Sequence, residues 1–438
     1  MSRLYDICVI GRDDPGTWLA AAALSAKDIS VALMLERPPD PSLLPFYWLA
    51  ADPLRSRALA EPFGLAPASA PSLPGSPDFQ VVFQGKPVDF VAPSPGRSII
   101  LERDLGQTKG SFEKMLGNLS QKGANIIKEA VEAGYPGKTG KGLLGKLFQG
   151  ISGKVYKGPD LSPFTGMAGE LDEFPRQVLE LALSGMYGAP LGDSAPASLL
   201  ALLCYVIDSF SEKDEGQGDF REQAAKLITR RGAIMEGEPE SLLSESKKIT
   251  GVRLAGSTVV EARFFMAPRK VLNKLSPTAK KGEGPKARRT TRATFFFKID
   301  VSTVPESWAP RSVIFSGNGG NKDKIMVVCR SRRVPRRETM AVTVYDERGE
   351  LNPEDLPALL KAGLPWLDEK AVHEDEDRKP ERYSKLLPDG LGEPYRYSGK
   401  LVNILPLPSE VIPGWGHAGI VAVLAAQMPL MLGKLDGN

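Results

Sequence analysis

A chain of 438 residues is long enough for two or three domains at roughly 100–200 residues each, and its 42% hydrophobic and 25% charged residues are those of an ordinary globular protein with a large core. A formal charge of +3 gives no argument for a nucleic-acid partner. Three cysteines, Cys8, Cys204 and Cys329, lie far apart and supply no metal-ligand spacing; Cys8 and Cys204 sit in apolar runs and read as buried, inert thiols.

In chain order, "MSRLYDICVIGRDD" holds too short an apolar stretch for a signal peptide. "DICVI" is a continuous apolar run of the kind seen in strands buried on both faces. A turn follows, then "TWLAAAALSA", whose alanines and leucines favour helix, then "ISVALML", a second strand ending at Glu36. This strand–turn–helix–strand order is the context a phosphate-binding glycine motif requires. Gly11 and Gly16 take the first and third glycine positions of GxGxxG, and Glu36 lies where an acid meets a ribose hydroxyl. Asp13 stands at the middle glycine, where the backbone normally approaches a pyrophosphate. The expectation is that Asp13 or Asp14 accepts backbone N–H bonds from residues 15–18 and takes the place of a phosphate.

Beyond the first unit, "PDFQVVFQGKPVDF" reads as strands, and residues 106–213 read mainly as helix. Phe112, Met115, Leu116, Leu119, Ile126, Ile127 and Val131 recur at helical spacing, while "ASLLALLCYVIDSF" is apolar nearly all round and should be buried. Between these helices, 138–157 carries Lys138, Lys141, Lys146, Lys154 and Lys157 interleaved with leucines and no acid. Three readings stay open there: an amphipathic segment in peripheral contact with an anionic membrane, a lid, or a solvated loop. "FREQAAKLITRRGAIMEG" and "ITGVRLAGSTVVEARFFMAP" give a helix, a turn, a hairpin and a strand. Residues 269–292 hold nine basic residues against Glu283 and read as an extended or disordered insertion, with a partner-binding arm as the sharper alternative. No aromatic interleaves with those charges, which speaks against stacking on single-stranded nucleic acid. The runs from 292 to 346 alternate like antiparallel strands, and "NPEDLPALLKAGLPWL" reads as a helix capped by Asn352. His373 sits in a charged run and reads as solvated, and His417 follows Gly416 in a C-terminal turn. The apolar run "GIVAVLAAQMPLMLG" falls below the ~20 residues that span a bilayer, so a cytoplasmic location is the expectation.

Taken in this order, the segments resemble the flavin-dependent phytoene desaturase and amine oxidase superfamily. The resemblance implies an α/β fold: an FAD/NAD(P)-binding Rossmann-type domain from 1–70, 214–268 and 400–438, and a substrate-type domain from 71–213 and 269–399. The second would combine antiparallel strands, about 78–100 and 292–346, with a helical layer. The resemblance also implies FAD as cofactor. Gly11, Gly16 and Glu36 match its nucleotide contacts, and Gly414, Gly416 and Gly419 match the C-terminal glycine turn. Asp13 departs at the middle glycine, Glu240 falls at the adenine position, and Pro408 and Ser409 replace a phosphate-contacting Gly-Asp pair. "RPPDPSLLP" stands where a Gly-Gly-Arg segment would follow the ribose acid. The glycines that shape turns remain and those that admit phosphate are replaced. Two functions follow as expectations. One is a pseudoenzyme without cofactor, binding an apolar small molecule or a protein partner, as the flavin-free GDP dissociation inhibitors of Rab proteins do on this fold. The other is an active FAD-dependent oxidoreductase on an isoprenoid-like substrate, where His417 would lie near the flavin. No residue presents itself as a catalytic acid, base or nucleophile.

Overall fold

A computed structural model describes residues 4–13, 15–36, 79–90, 97–106, 111–133, 171–187, 197–208, 215–245, 248–268, 289–300, 304–305, 308–309, 311–316, 324–331, 337–346, 356–364, 367, 372–375, 381–386 and 403–407. They form two sheets and associated helices, a mixed α/β architecture.

The first sheet grows from the opening unit. Strand β1 (Leu4–Arg12) pairs in parallel with β2 (Val31–Glu36), in register from Ile7 against Val31 to Arg12 against Glu36, and helix α1 (Pro15–Ser25) joins them. Proline suits the first turn of α1 because its missing N–H has no partner to lose there. Every residue from Trp18 to Leu24 is buried. A helix this uniformly apolar needs cover all round, and its alanines let it lie close to the strands. The cover is β1 and β2 on one side and helix α6 (Glu215–Thr229) on another. Ile7 and Val9 face α1, while Cys8 and Ile10 face the opposite side with Ala32, Met34 and Phe265. At the base of the unit, Asp6 accepts hydrogen bonds from the Ser30 amide at 3.0 Å and the Ser30 hydroxyl at 2.8 Å.

On leaving α6, the chain adds β5 (Ala233–Met235) parallel to β2. A Cβ at Gly232 would run into the Val31 carbonyl, so only glycine lets this connection pass β2 so closely. Strands β6 (Pro239–Glu245) and β7 (Lys248–Leu254) form a hairpin, and β7 pairs antiparallel with β8 (Val259–Pro268), which runs parallel to β1. Beyond the start of β7, the short β15 (Ile404–Leu407) takes up the remainder of β8, also in parallel. Asn403 secures this change of partner. Its side chain accepts the Ile249 N–H at 2.9 Å and donates to the carbonyls of Ile249 at 2.7 Å and Arg263 at 2.9 Å.

The second sheet runs β13-β9-β12-β11-β10-β3-β4, with β14 also on β9. Its strands are β3 (Phe79–Phe83), β4 (Lys86–Phe90), β9 (Arg289–Asp300), β10 (Arg311–Ser316), β11 (Lys324–Ser331), β12 (Arg337–Asp346), β13 (Val372–Glu374) and β14 (Glu381–Leu386). All pairs are antiparallel except β3 with β10, which is parallel. One face, with Val81, Val313 and Val327, meets a helical layer of α2 (Arg97–Leu105), α3 (Ser111–Ala133), α4 (Glu173–Tyr187) and α5 (Ala197–Asp208). The other, with Ile314, Met326 and Met340, packs on α7 (Leu356–Gly363). Within the layer, Arg97 at the start of α2 forms a buried ion pair with Asp208 at the end of α5, 2.8 Å apart.

Two readings of the sequence need correction. Residues 97–100, at the end of the stretch expected as strand, are helical, the first turn of α2. Ile99 and Ile100 give the segment a β-like look, but Leu101 and Leu105, four apart, are the buried pair and Ile99 is 69% exposed. The end of the basic insertion, 289–292, belongs to β9, paired with β12 and β14, instead of lying outside regular structure. The reading of His373 as solvated holds: it is exposed, on a short strand, β13, against Lys298. Residues 138–157 and 269–288 lie outside the described residues.

Candidate functional site

The turn between β1 and α1 is held by both main chain and side chains. The Asp13 N–H donates to the Glu36 carbonyl at 3.1 Å, which ties the turn to the end of β2. Gly11 lies under Thr17, and a Cβ there would collide with the Thr17 side chain, so the first glycine serves close packing of helix on strand. Gly16 is the second residue of α1. The structure thus brings Gly11, Asp13, Gly16 and Glu36 to one end of the parallel strands, where ligands bind in open α/β sheets.

Asp13 is 9% exposed. One carboxylate oxygen accepts the Trp18 indole N–H at 2.7 Å, and the other pairs with the Arg221 guanidinium of α6 at 3.2 Å. The sequence led to an expectation of backbone donors from residues 15–18; two side chains, Trp18 and Arg221, are among the donors that Asp13 has. An indole N–H is a donor only and must find an acceptor when buried, and Asp13 is that acceptor. Neither partner was found by reading the sequence. A tryptophan in an otherwise alanine-rich helix was a signal for Trp18. Arg221 had none, because it arrives from α6, far along the chain.

Glu240 is not part of this cluster. It is exposed on β6, with β1, β8 and β7 lying between that strand and β2 in the sheet. Pro408, Ser409, Gly414, Gly416 and His417 lie outside the described residues. Burial pushes the thiols of Cys8 and Cys204 far above the usual range, and the Cys8 thiol points at the Met34 sulfur, 3.8 Å away. These two cysteines are inert, as expected. Among the described residues no group of three or more His, Cys, Asp or Glu side chains is placed to hold a metal ion. Also among them, no helix is long and apolar enough to cross a membrane.

No family model and no curated protein sequence matches the chain. Among solved structures, wild-type putrescine oxidase bound to putrescine is similar over 100% of both chains, with a TM-score of 0.50 and 14% identity. A Rab GDI from Plasmodium falciparum aligns over 98% of both chains at 12% identity with a TM-score of 0.44. Cyclohexylamine oxidase from Brevibacterium oxydans aligns over 98% of this chain and 100% of its own, at 15% identity and a TM-score of 0.42. At such identity the first likeness speaks to fold alone: a Rossmann-type sheet joined to a second sheet with a helical layer.

Proposed function

We propose that this chain is a phytoene desaturase-like homologue that has lost FAD binding and acts by binding an apolar small molecule or a protein partner. In this reading the nucleotide-type domain comprises 1–70, 214–268 and 400–438. The observation that carries the proposal is the Asp13 carboxylate, buried in the turn and held by Trp18 and Arg221. The residues of this turn do not fit a dinucleotide's pyrophosphate. A phosphate brought to about 4 Å from that carboxylate is repelled by about 1 kcal/mol if water screens the pair and about 4 kcal/mol at the effective dielectric of a protein surface. Moving the carboxylate aside breaks charge-assisted hydrogen bonds of about 1.5–3 kcal/mol each. The loss of glycine in "RPPDP" and of the Gly-Asp pair at Pro408 and Ser409 acts against the same ligand.

The second reading, an active FAD-dependent oxidoreductase on an isoprenoid-like substrate, is favoured by Gly11 and Glu36, which keep their places at the strand ends. Flavin absorbance of the purified protein, followed by calorimetric titration with FAD, separates the two. The first reading expects a colourless protein with no FAD binding. Stoichiometric flavin overturns it and promotes the enzyme.

A further inference from the structure

We propose that Asp13 is a built-in occupant of an oxyanion position formed by the Trp18 indole and the Arg221 guanidinium, and that removing its carboxylate opens this position to a small external oxyanion. The inference rests on the reading that Asp13 closes the turn to phosphate, and it adds which groups do the recognising. Two donors from separate helices converge on one anionic group, at 2.7 Å and 3.2 Å, one on each oxygen. The Trp18 ring is buried, so the position of its N–H is fixed by packing before any anion arrives. The Arg221 side chain is 33% exposed while that of Asp13 is 13% exposed, so the guanidinium reaches toward solvent from the anion it holds. A planar guanidinium suits phosphoryl oxygens as well as carboxylate oxygens. In the native chain the resident carboxylate satisfies both donors and repels a second anion. Without it, the buried indole N–H must take water or an oxyanion as acceptor, beside a cation that lacks its counter-charge from residue 13.

Inorganic pyrophosphate is the probe, titrated by calorimetry into the full-length native protein and the variants Asp13→Gly, Asp13→Asn and Asp13→Gly/Arg221→Met at matched ionic strength. Asp13→Gly should bind at least about tenfold more tightly than the native protein, the factor that loss of one charge-assisted contact on the competing side implies. The added Arg221→Met should return affinity to the native level. Asp13→Asn, which keeps an oxygen for Trp18 but no charge, should also bind more tightly than native, and it decides the matter if the glycine variant does not fold. No gain in either Asp13 variant overturns the proposal, as does a gain that survives Arg221→Met. The flavin content of the native protein tests the parent reading separately. Bound flavin there sinks that reading, whereas pyrophosphate-indifferent Asp13 variants in a colourless protein sink this one alone.

Discussion

Trp18→Phe isolates one contact of the turn without emptying the helix. Phenylalanine keeps most of the apolar ring that packs beneath α1, but it removes the N–H that reaches the Asp13 carboxylate at 2.7 Å. A hydrogen bond to a charged, largely buried acceptor contributes about 1.5–3 kcal/mol. The smaller ring leaves a void worth about 1 kcal/mol more. The expected loss is therefore about 2.5–4 kcal/mol, which at about 2–4 °C per kcal/mol for a unit of 150–250 residues lowers Tm by about 5–16 °C. Thermal melts of the native protein, Trp18→Phe, Asp13→Asn and the double variant form a cycle in which the two substitutions must couple, because each removes part of the same contact. A Tm shift smaller than about 1 °C for Trp18→Phe, which is under half a kcal/mol, refutes the assigned contact. So does a double variant whose loss is the plain sum of the singles.

Four further substitutions test the fold. Asp208→Leu leaves Arg97 buried without its carboxylate and should cost about 3–5 kcal/mol in urea melts, while Arg97→Met/Asp208→Leu should regain most of it. Asp89 titrates higher than an ordinary carboxyl, chiefly because burial penalises its charge; Gln80 opposes that shift, Asp104 adds to it, and Arg103 opposes it. A folded pKa above the unfolded value of about 3.9 means that protonation stabilises the fold, so the ionised group weakens it at neutral pH. Asp89→Asn should therefore raise Tm at pH 7, and the gain should vanish as pH falls through the folded pKa to below the unfolded one. Gly232→Ala, where a Cβ meets backbone atoms of β2, should cost about 3 kcal/mol or more. By contrast Gly256→Ala, in open space at φ +89°, should cost only the left-handed strain of about 1–2 kcal/mol. Melting temperatures of the pair give the order.

The elements most legible in the sequence are those whose burial is complete. The residues "CVI" and the alanine run of α1 announce themselves because an element covered on every side has no polar face to confuse its pattern. Edge elements were harder. β13 and β14 lie in or beside the charged stretch after Ala371, and a strand that pairs on one side only needs little apolar patterning to persist. The start of β9, "RTTR", pairs with both β12 and β14, but its polar and basic residues show no apolar alternation, and it passed for an insertion. At the site, the glycine spacing and Glu36 were visible because they follow from local chain geometry. Asp13 was visible as an anomaly, but its partners were not: the indole reaches it by packing of α1, and Arg221 by the docking of α6, neither of which local spacing records.

Asn403 has a consequence for the order in which the molecule can be completed. The backbone groups of Ile249 and Arg263 that it satisfies are made by the ribosome about 150 residues before it, as are the β8 positions that β15 will cover. Until then, the C-terminal half of β8 has β1 on one side and nothing of its own sheet on the other. Nascent chains halted between residues 268 and 403 should therefore carry an unfinished strand edge, able to pair with any extended segment nearby. Chaperone demand during synthesis should be greatest over that interval and fall as residues 403–407 emerge. Ribosome-bound chains of increasing length, probed by protease at β8, would follow the change.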